Sequence, residues 1–130
     1  MNRRSYPVFR VGDLQRSIAF YEKFGMKEQR RVDAPEGSYT MVWLGWDGDE
    51  ESPAIGLTYN YGVSTYEHGT AFGQLVIGVS DVSALCTILR AANVKITREP
   101  GPVKFGATII AFVEDPDGYR IELVQSHQAS

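Results

Sequence analysis

The stretch VFRVGDL at residues 8–14 decides the fold, because it returns 68 positions later as VIGVSDV at residues 76–82. In both copies a mostly apolar run ends in an aspartate, which is typical of a short strand followed by the N-cap of a helix. Apolar residues then recur at helical spacing, and Gly25 and Asn93 stand where a helix commonly ends in a left-handed residue. Each copy is therefore predicted to open with a strand and a helix.

Strand-like segments follow each predicted helix. We predict strands at residues 27–31, 39–44 and 54–59 in the first copy, and at 95–97, 108–113 and 119–124 in the second. Each copy is thus a βαβββ module, and the predicted fold class is α+β with paired βαβββ modules. Half of this chain would bury too little apolar surface to be stable alone. Residues 1–130 are therefore predicted to form one domain from two repeats, at about 5–60 and 73–126, with a trough between two curved sheets.

The composition fits an ordinary globular domain, with 43% hydrophobic and 22% charged residues in 130. A net charge of −3 without clustered lysine and arginine argues against a nucleic-acid-binding protein. No apolar run approaches membrane-spanning length, and no signal-like segment follows the first residues, so a cytoplasmic protein without membrane contact is expected. The single cysteine, Cys86, lies at an apolar helical position and is predicted to be a buried core residue.

Four residues are predicted to share the trough. Side chains of a strand alternate between the two faces of its sheet, so a site on one face draws on every second position. This alternation places Tyr6 and Gly56 at matching positions in the opening and closing strands of the first copy. Gln74 and Glu122 take the corresponding positions in the second copy. The quasi-symmetric set is the place where convergent chemistry is expected.

The chain resembles bacterial glyoxalase I, the lactoylglutathione lyase of the vicinal oxygen chelate superfamily, over nearly its full length. The resemblance rests on RVGDLQRSI at residues 10–18, LTYN at 57–60, GPVK at 101–104 and AFVEDPDGY at 111–119. It implies paired βαβββ modules, a homodimer whose pockets are shared between subunits, and a nickel or zinc ion. It also implies a substrate, the hemithioacetal that methylglyoxal forms with glutathione.

The resemblance further implies that the metal ligands fall on Tyr6, Gly56, Gln74 and Glu122, and only Glu122 keeps the family residue. A tyrosine with a high-pKa phenol, a glycine without a side chain and a neutral amide are poor ligands for zinc or nickel. The two histidines, His68 in the linker and His127 near the end of the chain, are expected to be surface residues. We therefore expect the metal site to be lost and no cofactor to be bound.

The resemblance places the glutathione contacts on Arg10, Asn60 and Lys104. Arg10 and Asn60 match family positions at the γ-glutamyl end of the tripeptide, and Lys104 matches a loop cation at the glycine carboxylate. Taken without the resemblance, Arg10 could instead form a surface ion pair with Asp13 or Glu22, and Lys104 could be a solvated loop residue.

Three hypotheses for function follow. The first is a metal-free protein that binds glutathione, its adducts or a similar small anion. The second is an active lactoylglutathione lyase, which isomerises the hemithioacetal to S-lactoylglutathione with Glu122 as the base. The third is a regulatory partner of an intact paralogue, since a pocket shared between subunits lets an inactive chain alter an active one. A new metal-free reaction that uses Glu122 is a further alternative.

Overall fold

The computed structural model describes residues 3–48 and 51–126. The chain divides into two compact units, Met1–Glu67 and His68–Ser130. This division falls between the two predicted repeats.

The first unit is a four-stranded mixed sheet with one α-helix on it. Its elements are β1 (Val8–Arg10), α1 (Leu14–Glu22), β2 (Lys27–Ala34), β3 (Tyr39–Gly45) and β4 (Ile55–Asn60), with a short 3-10 turn at Pro35–Gly37. The strands lie in the order β1-β4-β3-β2. The opening strand β1 pairs in parallel with the closing strand β4, and the other neighbours are antiparallel.

The second unit repeats this topology. Its elements are β5 (Leu75–Val79), α2 (Val82–Ala91), β6 (Lys95–Pro102), β7 (Ile109–Glu114) and β8 (Arg120–Gln125), in the sheet order β5-β8-β7-β6. Val8 lies opposite Gly56 in the first unit, and Val76 lies opposite Glu122 in the second. The prediction of paired βαβββ modules is confirmed, including the equivalence of Gly56 and Glu122.

Both helices begin at the predicted aspartate N-cap and are followed by the predicted left-handed residue. The carboxylate of Asp13 accepts a hydrogen bond from the backbone amide of Arg16 at 3.0 Å, and that of Asp81 accepts one from Ala84 at 2.9 Å. These bonds satisfy amides that the first helical turn leaves without a partner. Gly25 and Asn93 have φ values of 90° and 64°, so both modules leave the helix through a left-handed residue, as predicted.

Two strands are longer than the sequence predicts. The second strand of each module continues beyond residues 31 and 97, to Ala34 and Pro102. In the second unit the guanidinium of Arg98 explains the extension, since it donates to the carbonyl oxygens of Gly101 at 2.9 Å and Ile110 at 3.0 Å. These bonds hold β6 against β7 across an irregularity in register, which alternation alone does not reveal.

One face of each sheet forms the core of its unit. In the first unit Val42 and Leu57 are fully buried and Phe9 nearly so; Ile121 and Leu123 are fully buried in the second. Helix α1 contacts β2 and β4, and α2 contacts β6, β7 and β8. Cys86 is 1% exposed, and burial raises the pKa of its thiol, so the prediction of a core cysteine is confirmed.

No helix in the described part of the chain is long and apolar enough to span a membrane.

The turn before the last strand depends on a buried carboxylate. Asp115 is 4% exposed, and its side chain accepts hydrogen bonds from the backbone amides of Asp117 and Tyr119, both at 2.9 Å. This turn sets the start of β8, the strand that carries Glu122.

Replacing Asp115 by alanine is expected to lower the free energy of unfolding by about 2–3 kcal/mol, because two amides in a largely buried turn lose their acceptor. The N-cap variant Asp81→Ala is the comparison and should cost about 1 kcal/mol. Denaturant unfolding followed by circular dichroism measures both. Equal effects of the two substitutions would contradict a special role of the buried turn.

Candidate functional site

The exposed face of the first sheet carries the candidate residues of the first unit. Arg10 is an exposed residue at the end of β1, and Asn60 is half-buried at the end of β4. Tyr6 precedes β1, which begins at Val8. A Cβ built on Gly56 would lie 3.5 Å from Cε1 of Tyr6 and 2.8 Å from Cε of Met41. Tyr6 and Gly56 are therefore together, as predicted from alternation.

The hydroxyl of Tyr6 is tied to the neighbouring strand. The indole Nε1 of Trp43 donates to this hydroxyl at 2.8 Å, and Trp43 lies directly opposite Gly56 in the register of β3 and β4. The side chains of Met41, Val8 and Tyr6 thus occupy the space around Gly56, with Trp43 on the adjacent strand. At this point the first unit presents an aromatic and thioether surface.

The candidate residues of the second unit form a hydrogen-bonded pair. The amide Nε2 of Gln74 donates to the Oε1 atom of Glu122 at 3.1 Å. Gln74 precedes β5 and Glu122 lies on β8, so the parallel pairing of these strands brings the two side chains together. The carboxylate of Glu122 therefore has a neutral amide donor as its partner.

The chemistry of these donors does not fit a zinc or nickel ion. In the first unit the phenol oxygen of Tyr6 accepts an indole N–H, and Gly56 has no side chain. In the second unit Gln74 directs its N–H toward Glu122, and an amide N–H repels a cation. No group of three or more His, Cys, Asp or Glu side chains among residues 3–48 and 51–126 is arranged to hold a metal.

Two of the residues predicted to contact glutathione, Asn60 and Lys104, lie in different environments. The side-chain amide of Asn60 donates to the hydroxyl of Tyr66 at 3.0 Å, which leaves its carbonyl oxygen as the acceptor. Lys104 lies in the loop between β6 and β7, where its ammonium group is 5.1 Å from the ring centre of Phe105. Phe105 is 96% exposed, so this loop presents a cation and an aromatic ring to solvent.

Sequence reasoning misplaced one histidine. His68 is half-buried and stacks on Tyr119 at 4.3 Å between ring centres, whereas we expected a surface residue. The reason is the turn at Gly118, which brings Tyr119 beside the linker; a Cβ at Gly118 would lie 3.9 Å from the His68 ring. His127 lies outside the described residues.

Sequence reasoning also missed Trp43 and Arg30. The guanidinium carbon of Arg30 lies 4.9 Å from the centre of the Trp43 ring, and these residues are opposite each other in β2 and β3. Strand alternation applied to β3 would have placed Trp43 on the same face as Gly56, so the signal was present.

Matches to known proteins extend over nearly the whole chain. A model of the Glyoxalase/Bleomycin resistance protein/Dioxygenase superfamily matches residues 3–123. The lactoylglutathione lyase of Haemophilus influenzae is 52% identical over 122 residues, which cover 93% of this chain and 90% of that protein. This chain belongs to the glyoxalase I family.

Other members of the glyoxalase I family agree in sequence and in fold. The lactoylglutathione lyase of Escherichia coli O157:H7 is 48% identical over 128 residues, covering 98% of this chain and 95% of that protein. The crystal structure of glyoxalase I from Zea mays superposes with a TM-score of 0.89 at 48% identity. The match covers 95% of this chain and 44% of the maize chain, so the maize protein is more than twice as long.

The purified protein is expected to contain well under one zinc or nickel ion per chain and to gain no thermal stability from nickel. A ligand that binds only the native state stabilises it by about 2.7 kcal/mol at a hundredfold excess over Kd, and the donors described above give little occupancy. The triple variant Tyr6→His, Gly56→Glu, Gln74→His should gain both bound nickel and thermal stability. Elemental analysis and thermal unfolding test this, and stoichiometric metal in the tag-free wild-type protein would contradict it.

Proposed function

We propose that this chain is a glyoxalase I relative that binds glutathione, a glutathione adduct or a similar small anion, with little or no lyase activity. The observation that carries the proposal is the hydrogen bond from Gln74 to Glu122. The residue that matches the family's base is paired with a neutral amide, in a position where the family pattern places a metal ligand.

The binding part of the proposal rests on three side chains. Arg10 is exposed at the end of β1, and its guanidinium suits a carboxylate because its N–H groups match both oxygens. Asn60 offers a carbonyl oxygen on the neighbouring strand, which suits an ammonium group. Lys104 adds an exposed cation in the second unit. Glutathione carries two carboxylates and one ammonium group, so these donors and acceptors match its charges.

The expectation of little or no lyase activity follows from the negative charge that develops on the substrate during the family's reaction. Moving a proton from one carbon to its neighbour passes through an enediolate, whose oxygens need a positive partner. A bound metal supplies that partner when it is present, with a contribution of about several kcal/mol. Losing about 5 kcal/mol of this stabilisation slows the reaction between a thousandfold and ten-thousandfold. Glu122 can still accept a proton, and its hydrogen-bond partner Gln74 is neutral and supplies no such charge.

A second candidate is an active lactoylglutathione lyase. The comparisons favour this candidate more directly than the first, because relatives of about half identity over nearly the whole chain carry that name. Under this candidate nickel or zinc is the cofactor, and Glu122 is the base. It requires donors for the metal other than Tyr6, Gly56 and Gln74.

The wild-type protein is expected to bind S-methylglutathione, which cannot react, with an affinity measurable by titration calorimetry. The variant Arg10→Gln should weaken this binding about tenfold or more, because a charge-assisted hydrogen bond contributes about 1.5–3 kcal/mol. Arg90→Gln is the matched control: Arg90 lies on α2 and is paired with Glu99, so its loss should leave the affinity unchanged. No binding, or equal losses in both variants, would contradict the proposed ligand.

The same preparations separate the two candidates when they are given nickel, methylglyoxal and glutathione. The first candidate predicts no S-lactoylglutathione above the uncatalysed background for the wild type and a measurable rate for the triple variant. Adding Glu122→Gln to that variant should abolish the rate, because Glu122 would act there as both ligand and base. Turnover by the wild type would establish the second candidate instead.

The proposed assembly is a cytoplasmic homodimer. Val8 on β1 and Val76 on β5 occupy equivalent positions and are 49% and 55% exposed, so each unit presents an apolar residue on its opening strand. A second copy of the chain could cover such positions.

Sedimentation equilibrium at micromolar concentration is expected to give the mass of two 14.5 kDa chains. The double variant Val8→Lys, Val76→Lys should shift the equilibrium toward one chain, because it places two charges where the apolar contact is proposed. A wild-type mass of a single chain over this range would rule out the homodimer. Copurification of a different chain from the native host would instead support a regulatory partner.

A further inference from the structure

A cavity of about 240 Å³ in the first unit lies beside Tyr6. Its lining residues are Arg4, Tyr6, Arg30, Trp43, Glu51 and Pro53. None of them is among the residues assigned to glutathione above. The cavity combines the guanidinium groups of Arg4 and Arg30 with a wall formed by Trp43 and Pro53.

The described residues that line the cavity include two arginines and one glutamate. Arg4 and Glu51 form an ion pair at 3.0 Å and neutralise each other. The guanidinium of Arg30 lies over the ring of Trp43 at 4.9 Å, and it has no ion pair with a carboxylate among residues 3–48 and 51–126. Stacking uses the flat face of a guanidinium and leaves the N–H groups at its edge available. Arg30 can therefore present a fork of donors to an anion.

A second donor comes from Tyr6. Its hydroxyl oxygen accepts the N–H of Trp43 at 2.8 Å, which is the single hydrogen bond of this hydroxyl in the described part of the chain. The O–H proton of the same group is thus left to donate elsewhere. A hydroxyl that already accepts one bond is polarised and becomes a better donor.

We propose that this cavity binds the carboxylate of a small aromatic acid, with Arg30 and Tyr6 as its donors and Trp43 and Pro53 as the wall for its ring. The guanidinium edge suits the two oxygens of a carboxylate, and the hydroxyl of Tyr6 can donate to one of them. An apolar wall beside the donors selects a flat organic acid over an inorganic anion. The site stands independently of the glutathione proposal, because it uses neither Arg10 nor Asn60.

The test follows the fluorescence of Trp43 during titration with benzoate. The chain has two tryptophans, so the background variant Trp46→Phe leaves Trp43 as the single reporter. Benzoate should change this fluorescence in a saturable way, and benzamide, which has the same ring without the charge, should bind at least tenfold more weakly. Sodium sulfate at the same ionic strength should not compete.

Variants of the lining residues identify the donors. Arg30→Gln should weaken benzoate binding about tenfold or more, and Tyr6→Phe should weaken it severalfold. Arg31→Gln is the matched control, because Arg31 is the next residue and is held by Glu28 at 2.8 Å. Arg10→Gln should also leave benzoate binding unchanged, which separates this site from the glutathione site. If Arg30→Gln does not fold, Arg30→Lys keeps the charge, removes the fork and should still weaken binding.

Three results would overturn the proposal. The first is equal binding of benzoate and benzamide, which would show that the carboxylate is not recognised. The second is an equal loss in the Arg30 and Arg31 variants, which would show a general effect of charge. The third is competition by sulfate, which would show a site for any anion.

Discussion

The parallel pairing of the opening and closing strands in each unit is the constraint on which the candidate site depends. Strand β1 is three residues long and β5 is five, and each is held at the edge of its sheet by one long-range partner. This pairing places Val8 opposite Gly56 and Val76 opposite Glu122, and so sets which residues stand together at the start of each strand. A shift of one residue in either register would turn every side chain of the strand to the other face of the sheet. Tyr6 and Gln74 reach their neighbours only because this register is fixed.

Most of the fold could be predicted because it is encoded in local signals that occur twice. The aspartates that cap the helices, the left-handed residues that follow them and the apolar alternation of the strands all depend on neighbouring residues. The extension of β6 could not be predicted in this way, since it depends on bonds from Arg98 to carbonyl oxygens that are distant in the chain. The stacking of His68 on Tyr119 is also a tertiary contact. The local sequence around a linker histidine does not show whether its ring stacks on another side chain or is exposed to solvent.

The candidate site was predictable in its positions but not in its chemistry. Alternation correctly brought Tyr6 to Gly56 and Gln74 to Glu122, because strand geometry fixes which residues share a face. The partner of the Tyr6 hydroxyl was not foreseen, since it is the indole of a residue on a third strand. The hydrogen bonds that a site makes with residues of neighbouring strands help to decide its chemistry. Residues that are poor metal ligands can therefore be good donors to an anion.

High overall sequence identity does not by itself determine the chemistry of a site, because overall identity and site chemistry depend on different residues of the chain. Identity of about half over nearly the full length of the chain accompanies a shared fold, with a TM-score of 0.89 to glyoxalase I from Zea mays. Function depends on far fewer positions, and one fold can host several functions through changes at such positions. Gly56 contributes no charge to the first unit, while Arg30 is positioned over Trp43 nearby. The proposal of an anion in this part of the first unit rests on the charges of the residues that line the cavity beside Tyr6. A shared fold does not fix the chemistry of a site, and this is the physical reason to test binding and catalysis separately in this chain.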